Sequence, residues 1–86
     1  MAARILVVDD ESRIRDIVCQ YLKFEDFSCA EASNGKQAVE MATEGDRPFD
    51  LIIMDVMMPF MDGITALRMI REKSSVPVIL LTAKGE

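Results

Sequence analysis

Two short apolar runs, Ile5–Val8 and Leu51–Met54, each stop abruptly at acidic residues. Neither run alternates apolar with polar positions, and the first is rich in β-branched residues. Such runs read as strands buried on both faces, the kind a parallel sheet places between two layers of helices. A third run, Val76–Leu81, ends at Thr82. The segments between carry helical spacing. Ile14, Ile17, Val18 and Tyr21 recur at i, i+3, i+4 and i+7, with Leu22 extending the stripe, and Glu11 or Ser12 marks the start. Phe27–Ala30 is a weaker extended stretch that suits an edge strand. Ser33-Asn34-Gly35 reads as a turn and cap for a second helix, which carries Ala38, Val39, Met41 and Ala42 and ends at Gly45. Arg47-Pro48 breaks the pattern. After a loop, Val56–Met61, Asp62 caps a third helix with Ile64, Leu67 and Ile70 on one face, closed by Ser74-Ser75. The order β-α-β-α-β-α-β with short connections predicts an α/β fold: an open, mostly parallel sheet with helices on both faces. There is no internal repeat or linker.

Composition narrows the function classes. Half of the 86 residues are apolar and 29% are charged, which argues against disorder. The net charge of −5 argues against a nucleic-acid or anionic-membrane surface. No apolar run approaches the ~20 residues needed to span a bilayer. The first residues carry no signal-peptide pattern, which points to a cytoplasmic protein. The absence of histidine removes histidine triads and HExxH zinc sites. Cys19 and Cys29 are too few for a disulfide framework or a metal site. They are expected to be reduced thiols used for packing. The methionines around the third strand, Met54, Met57, Met58 and Met61, are expected to pack in core and loop.

In an open parallel sheet, ligands bind beyond the carboxyl ends of the strands. Asp9-Asp10, Asp55 and Thr82 all lie at that level. Each alone has an ordinary explanation, as a turn residue, a helix start or a strand-end hydroxyl. Together they bring three carboxylates toward one pocket if the first and third strands are neighbours. Like charges so close repel and raise one another's pKa unless a cation sits among them. Mg²⁺ suits such a site, because it takes one or two carboxylates and keeps other positions for water and phosphate.

These residues resemble the receiver domain of bacterial two-component response regulators. Ile5-Leu-Val-Val-Asp-Asp-Glu11 is similar to the family's first strand and acidic pair. Asp50-Leu-Ile-Ile-Met-Asp-Val-Met-Met-Pro59 is similar to its phosphoacceptor strand and loop. Met61-Asp-Gly63 resembles the opening of the third helix, and Pro77-Val-Ile-Leu-Leu-Thr-Ala83 the fourth strand. The stretch Leu81–Glu86 resembles the branch with winged-helix DNA-binding outputs. The resemblance implies a flavodoxin-like sheet in the order 2-1-3-4. It implies that Asp55 accepts a phosphoryl group from a sensor histidine kinase. Asp10, Asp55 and the Met57 backbone carbonyl would hold Mg²⁺, with Asp9 acting through a water. The Thr82 hydroxyl and the N–H groups of Met57 and Ala83 would meet the phosphoryl oxygens.

The family's full fold has five strands and five helices. Residues 1–86 supply four strands and three helices, so the chain is expected to be the N-terminal portion of a receiver domain. Its fourth helix, fifth strand and fifth helix have no counterpart here, nor has the fifth-strand lysine. Lys84 lies two residues after Thr82 and is not given that role. DNA would be contacted only through an output domain absent from this chain, and no membrane is involved. The fourth strand would form an apolar edge, so self-association through it or by element exchange is expected. The domain would be a phosphorylation switch rather than a turnover enzyme. One alternative is a non-signalling, self-associating fragment. Another, an Asp-nucleophile phosphohydrolase, needs a second Asp where Met57 stands.

Overall fold

The computed structural model describes residues 2–81. Seven elements alternate: β1 (Arg4–Val8), α1 (Ser12–Phe24), β2 (Ser28–Ala32), α2 (Gly35–Glu44), β3 (Leu51–Asp55), α3 (Gly63–Arg71) and β4 (Val78–Leu81). All strand pairs are parallel, in the order β2-β1-β3-β4. The expected fold class and strand order are therefore observed.

The sheet divides the core in two, because neighbouring residues of a strand point to opposite faces. Leu6 and Val8 of β1 join Ile52 and Met54 of β3 on the side covered by Ala38 of α2 and Ala66 and Ile70 of α3. Ile5 and Val7 join Cys19 of α1 on the other side. Leu6, Ile52, Met54 and Ile70 are among the largest side chains that are fully buried. Each such burial contributes about 1.5–3 kcal/mol. At the amino end of the sheet, Asp50 Oδ2 accepts the Arg4 N–H at 2.7 Å, and the Arg4 guanidinium stacks over the Phe49 ring.

The structure shifts several expectations. β2 begins at Ser28 and runs to Ala32, rather than spanning Phe27–Ala30. Pairing decides this: the register Arg4↔Ser28 to Val8↔Ala32 uses every residue of β1. β4 begins at Val78, because Pro77 has no N–H to donate and only its carbonyl enters the ladder, accepting from Ile52 at 2.9 Å. In α1 the inward stripe is displaced by one residue. Arg15, Val18, Cys19 and Leu22 turn toward β1 and β2, whereas Ile14, Ile17 and Tyr21 are exposed. The expected free thiols are also corrected: Cys19 and Cys29 form a disulfide between α1 and β2. Their Cα atoms are 5.8 Å apart, within ordinary disulfide range. Cys19 is buried, as expected of a packing residue.

Candidate acidic site at the strand ends

The site follows from the β1–β3 register. Val8 lies opposite Met54, so one step further along both strands brings Asp9 beside Asp55. Asp10 follows in the loop that opens α1. One carboxylate oxygen from each of Asp9, Asp10 and Asp55 lies within 4.8 Å of the others. Asp9 and Asp55 are half-buried and Asp10 is exposed. Burial pushes the Asp9 carboxyl above its ordinary range. The carboxylates of Asp55, Asp10 and Glu11 push the same way, and the Glu11 N–H, donated to Asp9 Oδ1 at 2.9 Å, opposes them.

Three elements hold these acids in place. The Asp9 N–H donates to the Ala32 carbonyl at the end of β2, at 3.2 Å. Arg15 of α1 donates to the Asp9 carbonyl from Nη1 at 2.7 Å and to Glu31 Oε1 of β2 from Nε at 2.9 Å. The start of α3 packs directly against the end of β3. Gly63 donates its N–H to the Val56 carbonyl at 3.0 Å, and a Cβ on Gly63 would come within 2.5 Å of the Asp55 carbonyl oxygen. Only glycine permits that approach. Asp62 caps α3 by accepting the Thr65 N–H at 2.8 Å, which fixes where the helix begins. The Thr65 N–H holds the Asp62 carboxyl below its ordinary range, with help from the Thr65 hydroxyl.

Of the six residues singled out from sequence, the structure brings Asp9, Asp10 and Asp55 together. Met57 lies alongside, donating its N–H to Asp55 Oδ1 at 3.3 Å. Thr82 and Ala83 lie outside the described residues. Three further residues were not anticipated in these roles. Arg15 acts by holding a backbone carbonyl and Glu31 by anchoring the Arg15 side chain, and neither leaves a spacing signature. Gly63 was legible only as part of a helix opening, not as a close-contact residue.

The donor set can be tested against a cation. All three side chains offer oxygen, which suits a hard divalent ion. Among the described residues, the one salt bridge joins Arg15 to Glu31, and no lysine or arginine pairs with the three acids. The residues present therefore fit a hard cation. Among the described residues no helix is long and apolar enough to cross a membrane.

Comparison with known proteins gives a consistent picture. The family model described as "Response regulator receiver domain" matches residues 5–86. The transcriptional regulatory protein ResD of Bacillus subtilis is 51% identical over 83 residues, which is 96% of this chain and 34% of ResD. The transcriptional regulatory protein SrrA of Staphylococcus aureus is 48% identical over 86 residues, 100% of this chain and 35% of SrrA. The chain thus spans about a third of the length of these relatives. A crystal structure of the receiver domain of the Arabidopsis thaliana histidine kinase CKI1, complexed with Mg²⁺ and BeF₃⁻, matches with a TM-score of 0.90. It is 32% identical, and the match covers 98% of this chain and 68% of that one. The Vibrio cholerae chemotaxis protein CheY4 matches with a TM-score of 0.89 at 30% identity, over 100% of this chain and 72% of that one.

Proposed function

The chain belongs to the response regulator receiver domain family, and from that premise we propose that it is a phosphorylation-switched signalling module with Asp55 as the phosphoacceptor. One observation carries the assignment of the site. Three carboxylates converge within 4.8 Å at the ends of two adjacent strands, with no cationic side chain paired to them among the described residues. We assign Mg²⁺ to this place, held by Asp10, Asp55 and the Met57 backbone carbonyl, with Asp9 acting through a water. When bound, Mg²⁺ would offset the repulsion between an attacking carboxylate and a phosphoryl group.

The chain's own groups then have distinct tasks. The Met57 N–H on Oδ1 orients the Asp55 carboxylate and leaves Oδ2 to attack. The attacking oxygen forms a bond to phosphorus, and the N–P bond of the donor's phosphohistidine breaks. The imidazole leaves with the electron pair and takes up a proton. The product on this chain is an acyl phosphate, which adds charge and acceptor oxygens at the end of β3. Thr82 and Ala83 are assigned to those oxygens as hydroxyl and N–H donors. Their response would bias a two-state loop and so carry the signal. The phosphoryl group stays on the chain itself, so this is not turnover of a separate substrate.

The partner is a sensor histidine kinase, and the chain itself acts in the cytoplasm. The output is transcription, suggested by the names of the curated relatives and carried by a DNA-binding domain outside this chain. Residues 1–86 correspond to the N-terminal portion of a receiver domain. One further observation favours self-association: β4 lies at the edge of the described sheet, with Ile79 and Leu81 nearly half exposed. A strictly monomeric, folded species in gel filtration would remove that part of the reading.

Incubation with acetyl phosphate and Mg²⁺, followed by intact-mass measurement, tests the main proposal. One phosphoryl adduct is expected, lost on omitting Mg²⁺ and in Asp55→Asn. A folded chain that gains no adduct would overturn it.

A further inference from the structure

We propose that Arg15 is a positioning residue for the cation pocket, holding the Asp9–Asp10 peptide in the orientation that aims both carboxylates at Asp55. This rests on the reading of that pocket as a Mg²⁺ site.

The guanidinium makes two bonds in different directions. Nη1 donates to the Asp9 carbonyl at 2.7 Å, and Nε donates to Glu31 Oε1 at 2.9 Å. The Arg15 side chain is only 16% exposed and its contact with the Asp9 carbonyl is part-buried, whereas the Glu31 side chain, 43% exposed, meets it from the solvent side. The Asp9 carbonyl belongs to the rigid, planar peptide that joins Asp9 to Asp10. Gripping that oxygen fixes the plane, and with it the directions in which both side chains leave the backbone. The Asp9 N–H is held separately by the Ala32 carbonyl at 3.2 Å. The loop is therefore fixed on both sides of Asp9, from β2 and from α1.

Glu31 has its own part. It anchors the guanidinium beside the pocket and partly neutralises it. A guanidinium freed of that anchor could swing onto the acids and compete with a cation for them. Arg15 is itself held in place, because Cys19 lies one turn further along the same face of α1 and is tied to Cys29 of β2. The ion pair and the disulfide thus pin one helix to one strand at two levels. Lysine could reach one of the two acceptors but lacks the planar fork that serves both.

The test is a calorimetric titration of the full 86-residue chain with Mg²⁺ alone, well below the melting temperature. Loss of a group that orients metal ligands costs about tenfold or more in metal affinity. Arg15→Met is expected to weaken Mg²⁺ binding by about that factor, and Arg15→Lys by less. Glu31→Gln, which keeps the guanidinium but loosens its anchor, is expected to weaken binding in the same direction. A merely structural role would lower the melting temperature without this graded loss of affinity in folded samples. Binding by a folded Arg15→Met chain within twofold of the unsubstituted chain would overturn the proposal. If Arg15→Met does not fold, Arg15→Lys and Glu31→Gln decide, and unchanged affinity in both would overturn it. Failure of the unsubstituted chain to bind Mg²⁺ is a different result: it would overturn the pocket reading first and this inference with it.

Discussion

Replacing Gly63 with alanine should damage both stability and phosphorylation, and the size of the effect can be worked out. The added Cβ would lie 2.5 Å from the Asp55 carbonyl oxygen, 3.0 Å from Val56 Cα and 3.1 Å from the Asp55 carbonyl carbon. Ordinary carbon–oxygen contacts are about 3.3–3.6 Å, so the two elements must part by roughly 0.8–1 Å. All three neighbours are backbone atoms, so no rotamer change can relieve the clash. Overpacking of this kind costs about 1–3 kcal/mol. Alanine recovers up to about 1 kcal/mol as the better helix former. Taken from the middle of the overpacking range, about 2 kcal/mol, the net loss is about 1–2 kcal/mol against a total of roughly 4–13 kcal/mol for a chain of this length. That corresponds to a fall of about 4–16 °C in melting temperature. The chain has no tryptophan and one tyrosine, so far-UV circular dichroism is the suitable probe. Because the displaced carbonyl belongs to Asp55 itself, adduct formation with acetyl phosphate should also slow in samples that remain folded. A Gly63→Ala chain as stable as its parent and equally fast would refute the argument that α3 sets the position of the phosphoacceptor.

Three further outcomes are expected. Phe60 holds a left-handed backbone (φ 70°) with its side chain fully exposed, so Phe60→Gly should raise the unfolding free energy by up to about 1 kcal/mol, seen as a higher urea midpoint; a lower midpoint would show that the ring makes a stabilising contact. The Cys19–Cys29 disulfide closes a short loop, a separation of 10 residues, so Cys29→Ser or full reduction should cost about 2.5–3 kcal/mol, seen as a lower melting temperature; an unchanged melting curve would count against the bond. The third concerns pH in Mg²⁺-free buffer. The folded chain holds the Asp9 proton more tightly than the unfolded chain does, so Asp9 withdraws stability as pH rises from about 3.8 through its raised folded value. Asp62 acts oppositely: its contribution is present above the unfolded value of 3.8 and is lost as pH falls through its lowered folded value. Asp9→Asn should therefore gain stability over the parent as pH rises through the first window, and a gap that does not change with pH would contradict the assigned cause.

Much of this was legible because parallel-sheet strands announce themselves as apolar runs and their ends as sudden polarity. Asp9, Asp10 and Asp55 stand at those ends, and the β1–β3 register makes them neighbours. Asn34 and Asp62 were legible as caps, since short polar side chains before a helical stripe have one common use. What escaped has physical reasons. The inward face of α1 was displaced by one residue because Arg15 and Cys19 serve it through an ion pair and a disulfide, which apolar periodicity does not register. The disulfide depends on α1 folding back over β2, not on cysteine spacing. Phe60 shows no sequence sign of its left-handed backbone, because glycine or asparagine is the usual marker of that conformation.

The most direct test of the central claim is to locate the phosphoryl group. Treating the acetyl-phosphate-labelled chain with borohydride reduces an acyl phosphate to an alcohol, and peptide mass spectrometry then identifies the residue that carried it. The account predicts conversion at Asp55 alone, dependent on Mg²⁺, with Asp9 and Asp10 unmodified. Conversion at Asp9 or Asp10, or Mg²⁺-independent labelling spread over several acids, would contradict it.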